Sequence, residues 1–289
     1  MIKRSGFAAA LLCLACSSAS AATYTLTVEP NYPPNQAQDV YRPLLDYLGR
    51  STGHTFKLRV AANYHVHWRN IRDAAGTDFA FEEAHFADYR IERHGFTPLV
   101  RVAEPSRWSL LAGDGNASDG ARGLIGYRIV SMPSPSLGYL VLSELYPNPI
   151  SQPEIQSVAA SWRDGVEMVF SAETEAAMVP SYIAQLYPNV TPVFESREFP
   201  GRALSAAGNV PTDVREAVTE AMLKLHEDGS AHEVLVELGT AQFVPAQVSE
   251  YAGHESLLRY VFGYQAKARP AEEIPDPSSG IQVSADRGN

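Results

Sequence analysis

Cysteine is almost missing from this chain. Of 289 residues only Cys13 and Cys16 are cysteines. Beyond them the sequence has no means of forming a disulfide, a thiolate metal site or a cysteine nucleophile. Long apolar runs are missing too: the stretch from Phe7 to Cys16 falls short of the roughly 20 residues a membrane-spanning helix needs. Lys3 and Arg4 precede it and Ala19-Ser20-Ala21 follow it, so residues 1–21 read as a secretory signal. "CLAC" at 13–16 matches a bacterial lipobox only in part, because Cys13 stands where that motif has leucine. Plain cleavage is the expectation and a lipid anchor on Cys16 the alternative. Basic charge is scarce. Without Lys3 and Arg4 the chain carries 21 basic against 33 acidic residues, a formal charge of −12, and no basic cluster. Nucleic acids and anionic membranes, which are held largely by Lys and Arg, are therefore excluded as partners. There is no GxSxG, no phosphate-cradling Walker loop and no HExxH helix, so neither an enzyme nor a cofactor is expected.

With 45% hydrophobic and 19% charged residues, the chain can bury a sizeable core. "YTLTVEP" alternates Tyr24, Leu26 and Val28 at strand period, and "DVYRPLLDYLGRSTG" spaces Val40, Leu44, Leu45 and Leu48 as a helix closing on glycine. "FKLRVAA", "HVHWRNIRDAA", "DFAFEEAHFADYRIERHG" and "TPLVRVA" continue the alternation. Strands alternating with helices at this spacing predict β-α-β units around a mostly parallel sheet. The glycine, aspartate and serine cluster from Gly113 to Gly123 marks a boundary or hinge. A second alternating set follows to about residue 199. "GRALSAAGN" then reads as a strand returning to the first lobe, and "VPTDVREAVTEAMLKLHEDG" as a helix capped by Thr212. The predicted organisation is signal 1–21, lobe 1 over 22–112, lobe 2 over 113–200, lobe 1 again over 201–264, and a polar, proline-rich disordered tail over 265–289. Two α/β lobes joined by two crossing segments form a cleft, the usual place for a small ligand.

In "SMPSPSLGYLVLSEL", Ser134 and Ser136 precede a helical run. Free N–H groups and hydroxyls at a helix start either cap the helix or hold an anion. Glu82 and Glu83 either belong to a first helical turn or point inward, toward a cationic or donor-bearing part of a ligand. Arg202 offers a fork for carboxylate or phosphate. His65, His67, Glu82, Glu83 and His85 fall near one cleft wall, but helical residues two apart face different ways, so no metal site is expected.

The collinear series "YRPLLDYLGRSTGHTFKLRVAANY", "DFAFEEAHFADY", "GYRIVSMPSPSLGYLVLSEL", "SWRDGVEMVFSAETEAAMV", "FPGRALSAAGNVP" and "LGTAQFVPAQVSEY" resembles the phosphate, phosphite and phosphonate binding proteins of ABC importers over residues 24–251. The resemblance implies a type II periplasmic-binding-protein fold, and by position it makes Tyr64 and Phe86 the ligand-facing aromatics of lobe 1. Its oxyanion loop corresponds to "SPSLG" at 134–138, where Ser134 and Ser136 remain but Pro135 has no N–H and Leu137 no hydroxyl. Trp162 stands where the family has histidine. Ser181, Tyr182 and Arg202 fall near further pocket positions. The implied protein is exported to the periplasm and closes on a small polar, oxyanion-containing solute of the phosphonate or phosphite kind. Its partner would be an ABC permease or, alternatively, the outer domain of a sensor histidine kinase; a metal-dependent enzyme on the same frame is the remaining alternative. The membrane would be met only through such a partner or a lipid on Cys16.

Overall fold

β-Branched and aliphatic residues at the chain's first strand are buried on both faces, Leu26 and Val28 on one and Thr27 on the other, as a central strand of a covered sheet requires. The computed structural model describes residues 21–113 and 119–266. The signal segment with both cysteines and its lipid-anchor alternative, part of the glycine-rich stretch, and the tail from residue 267 lie outside the described residues, and the signal and tail expectations fall there.

Within them the order is β1 (Thr23–Val28), α1 (Pro34–Thr52), β2 (Thr55–Val60), α2 (Tyr64–Arg72), β3 (Phe79–Glu82), α3 (Ala84–His94), β4 (Thr97–Val102) and β5 (Trp108–Ala112). Next come β6 (Arg128–Val130), α4 (Leu137–Leu145), β7 (Glu154–Gln156), α5 (Trp162–Phe170), β8 (Ala176–Pro180), α6 (Ser181–Ala184) and β9 (Thr191–Glu195). The described residues end with β10 (Ala203–Ala206), α7 (Thr212–Lys224), α8 (His232–Glu237), β11 (Phe243–Pro245), α9 (Val248–Tyr251) and a 3-10 segment at His254–Tyr260.

Two sheets result, ordered β11-β4-β10-β3-β1-β2 and β7-β6-β8-β5-β9. β1, β2 and β3 are parallel, with Leu26 opposite both Leu58 and Phe79, while β10 runs antiparallel between β3 and β4. In the second sheet β6, β7 and β8 are parallel, and β5 runs antiparallel between β8 and β9. The fold is thus the mixed α/β, two-lobe arrangement, with each sheet carrying its own helices.

The chain crosses between sheets at residues 103–107 and 196–202. These segments pair with each other, Ser106 N–H to Phe199 O at 3.0 Å and Phe199 N–H to Ser106 O at 2.9 Å. This corrects the expected boundary: β5 belongs to the second sheet, so lobe 1 leaves after β4 and not at the glycine cluster, which follows β5. Gly201 is required at the second crossing, because a Cβ there would lie 2.5 Å from Val102 O. At α7 the N-cap is Pro211 and Thr212 is the first helical residue, one step later than its sequence role. An apolar cluster from Leu26, Phe79, Phe81, Val100 and Leu204 fills lobe 1 beneath α1 and α7. A second cluster joins Tyr64, Trp68 and Phe86 of lobe 1 to Trp108, Trp162 and Val179 of lobe 2, so hydrophobic packing runs across the seam.

Candidate functional site

In open α/β sheets ligands meet the carboxyl ends of the parallel strands, and here those ends from both lobes face one seam. β1 ends into Glu29 and Asn31, held by a tight turn with Asn31 N–H on Glu29 O at 2.9 Å. After β2, Asn63 caps α2 by accepting Val66 N–H at 2.9 Å, which sets Tyr64 at the helix start. β3 ends on Glu82, and Glu83 is the N-cap of α3. From lobe 2, Ser161 caps α5 and presents Trp162, while β8 ends at Pro180 before Ser181 and Tyr182.

The inner part of the seam is a sealed polar cluster. Tyr64 Oη lies 2.6 Å from Asn31 Oδ1 and 3.0 Å from Glu29 Oε2. Trp162 Nε1–H donates to the same Asn31 Oδ1 from the opposite lobe at 3.0 Å. Glu29 Oε1 accepts Glu83 N–H at 2.8 Å. Tyr64 has one hydroxyl proton and cannot give it to both neighbours. Burial, reinforced by the adjacent Glu83 charge, pushes the Glu29 carboxyl up to about 8, toward its protonated form. Glu29 then donates to Tyr64, and Tyr64 donates to Asn31. The carboxyl, hydroxyl, indole N–H and amide oxygen of this chain each have a partner, as low-dielectric burial demands.

Toward the crossings the seam opens into a cavity of about 480 Å³ whose lining includes Glu83, Ser106, Trp108, Ser181, Tyr182 and Arg202. Ser106 Oγ donates to Glu83 Oε2 at 2.8 Å, and Arg202 Nε stands 3.8 Å from Glu83 Oε1. Burial raises the Glu83 carboxyl, against the pull of Arg202 and Ser106. The Arg202 guanidinium lies between the Phe81 and Tyr182 rings, 5.1 and 5.5 Å from their centroids, and donates to Leu238 O. Trp108 Nε1 is buried without a hydrogen-bond partner among the described residues. Behind Tyr182, Gly239 has φ +60° and a Cβ there would lie 2.3 Å from the tyrosine ring, so only glycine lets the ring stand where it does.

Glu82, one residue from Glu83, is spent on structure. Arg90 grips it with two bonds of 2.6 and 2.9 Å, and His67 Nε2 is 3.1 Å away. Burial raises its carboxyl, but Arg90 and His67 outweigh that and hold it at about 2. His85 crosses the seam, its Nε2 2.9 Å from Pro135 O; burial lowers the ring to about 3, so the neutral ring donates there. Both glutamates are buried, and neither lies in the first turn of α3. Among the described residues no group of three His, Cys, Asp or Glu side chains could hold a metal ion.

The sequence-derived residues therefore separate. Ser181, Tyr182 and Arg202 line the cavity, and Tyr64 and Trp162 meet at Asn31. Phe86 is corrected to a supporting role: it is fully buried, stacked 6.4 Å from Tyr64 and 6.2 Å from Trp68, and so braces Tyr64. Ser136 caps α4, accepting Tyr139 N–H at 3.3 Å and donating to Met132 O at 2.9 Å. Its hydroxyl proton is used, and the oxyanion-holding alternative is not what this geometry shows. Ser134 lines a different groove, with Tyr139, Arg197 and Tyr260. Sequence reasoning overlooked Glu29, Asn31 and Ser106. The signal for the first two was their place directly after a parallel strand, where binding residues collect.

A family model described as "ABC transporter, phosphonate, periplasmic substrate-binding protein" matches residues 26–251. The chain belongs to that family. It is the solute-binding component of an ABC importer, a class that works in the periplasm, and no helix among the described residues is long and apolar enough to cross a membrane. Among solved structures, PhnD1 from Prochlorococcus marinus in complex with methylphosphonate superposes with a TM-score of 0.69 at 12% identity, covering 82% of this chain and 97% of that one. A binding protein component of an ABC phosphonate transporter from Pseudomonas aeruginosa gives 0.66 at 13% identity, with 83% and 85% covered. XAC2383 from Xanthomonas citri, bound to ATP, gives 0.62 at 14%, with 83% and 99% covered. At these identities the likeness shows the fold alone. No curated protein sequence matches the chain.

Proposed function

We propose that this family member binds a small polar solute whose oxyanion sits on Arg202 in the cavity beside the crossings, flanked by Ser181, Tyr182 and Ser106. The observation that carries this reading is the state of Arg202. It is buried, it lines the cavity, and among the described residues its hydrogen bond goes to Leu238 O while Glu83 Oε1 stands 3.8 Å from its Nε. A buried guanidinium with unspent donors suits a phosphonate, phosphite or carboxylate, which it can meet with two parallel bonds. Glu83 beside it favours solutes that also carry a cation or a hydrogen-bond donor. Tyr64 and Trp162 then serve the join between lobes, with Phe86 behind them. Closure changes the outer surface that the permease reads, and the solute is passed on unaltered, as transport and not catalysis. Thermal-shift screening against phosphate, phosphite, phosphonates, aminophosphonates, sulfonates and carboxylates tests the reading, because ligand binding raises the melting temperature by mass action. An oxyanion should produce a shift that Arg202→Leu removes. No shift with any oxyanion, or a shift that survives in folded Arg202→Leu, contradicts it.

A further inference from the structure

Two donors from opposite lobes, Tyr64 Oη–H and Trp162 Nε1–H, converge on a single oxygen, and that oxygen belongs to the chain itself, Asn31 Oδ1. An oxygen that accepts from both walls of a seam is what a bridging oxyanion would supply. We propose that Asn31 is a specificity-determining residue: its carboxamide takes the seat between Tyr64 and Trp162, closes the inner seam without a solute, and leaves the Arg202 cavity for one. The inference goes beyond the Arg202 reading, since it concerns a different part of the seam.

The surroundings of Asn31 support a clasp made by the chain. The next residue, Tyr32, donates its hydroxyl to Glu237 Oε2 at 3.0 Å. Arg163, next to Trp162, reaches the other oxygen of Glu237 at 3.1 Å. Asn31 to Trp162 and Glu237 to Arg163 thus join the lobes side by side, with Tyr32 fixing Glu237 from within lobe 1. Asn31 is buried, and its neighbour Glu29 lies 3.0 Å from Tyr64 Oη. Truncating Asn31 would expose two converging donors, Tyr64 Oη–H and Trp162 Nε1–H, around a space the size of a carboxamide. Hydrogen bonds to a charged acceptor are the strong ones.

The test uses the exported protein, with inorganic phosphate and methylphosphonate as probes. In Asn31→Ala, calorimetric titration should show a gain in affinity of about tenfold or more for at least one probe, by the worth of a charge-assisted bond. The gain should persist in Asn31→Ala/Arg202→Leu, which separates it from the cavity reading, and vanish in Asn31→Ala/Trp162→Phe. Independently, Trp162→Phe keeps the ring and removes the N–H, so small-angle scattering without added solute should give a larger radius of gyration than wild type. A folded Asn31→Ala protein with no gain, a gain that survives Trp162→Phe, or an unchanged radius in Trp162→Phe would overturn the proposal.

Discussion

The inner seam and the cavity beside the crossings are lined from the same strand ends, yet they treat their polar groups in opposite ways. In the inner seam Glu29, Tyr64, Asn31 and Trp162 satisfy one another. Around the cavity Arg202 holds donors in reserve and Trp108 Nε1 has no partner among the described residues. A polar group with all its partners at home contributes to holding the lobes together; one left short of partners is available to a guest. The glutamates at the end of β3 show the same division at one residue's distance. Glu82 is locked to Arg90, whereas Glu83 lines the cavity.

The locked side can be broken hardest. Arg90→Met leaves Glu82 buried without its main counter-charge, and chemical denaturation should show a loss of about 3–5 kcal/mol. Glu83→Gln, on the cavity side, should cost far less in the same assay.

Next in size comes pH. Glu29 keeps its proton in the folded state up to about 8 but ionises near 4.5 when unfolded. Between those values the folded state holds the extra proton, so stability falls as pH rises through this window. His85 works in the other direction. Its ring stays neutral down to about 3 when folded and protonates near 6.5 when unfolded, so stability falls as pH drops from 6.5 toward 3. Together they place the optimum at mildly acid pH. Melting temperatures across pH should show it, and Glu29→Gln, which keeps a donor for Tyr64 and an acceptor for Glu83 N–H, should flatten the alkaline side. An unchanged alkaline slope in Glu29→Gln would assign the proton elsewhere.

A smaller effect should come from Gly239→Ala. It forces the Tyr182 ring to move and places a side chain at φ +60°, costing about 1–2 kcal/mol. Because the displaced ring borders the cavity, solute affinity should fall as well, while the inner seam is untouched.

The fold was legible because it is written in periodicities. Leu26 and Val28 at strand spacing, and Leu44, Leu45 and Leu48 at helical spacing, report which face is buried without reference to distant residues. The crossing was misplaced for a physical reason: Gly113 to Gly123 looks like a hinge, but the real crossing runs through Ala103–Arg107, which needs no glycine because Ser106 pairs with Phe199. In the site, Tyr64, Trp162, Ser181, Tyr182 and Arg202 come from the resemblance to the binding-protein family. Which of them face a cavity and which meet a neighbour depends on contacts such as Trp162 to Asn31, 131 residues apart in the chain, and no local pattern encodes those. Ser136 illustrates the limit: a cap and an anion holder have the same sequence, and only the bond to Met132 O distinguishes them.

The most direct measurement is a calorimetric titration of one oxyanion ligand, found by thermal shift, into wild type, Arg202→Leu and Ser134→Ala. With the solute seated beside the crossings, Arg202→Leu should lose roughly a hundredfold or more in affinity, from the bonds of a charged donor, while Ser134→Ala, in its separate groove, should match wild type. Full binding by folded Arg202→Leu together with a loss in Ser134→Ala would contradict the account and return the solute to the loop before α4.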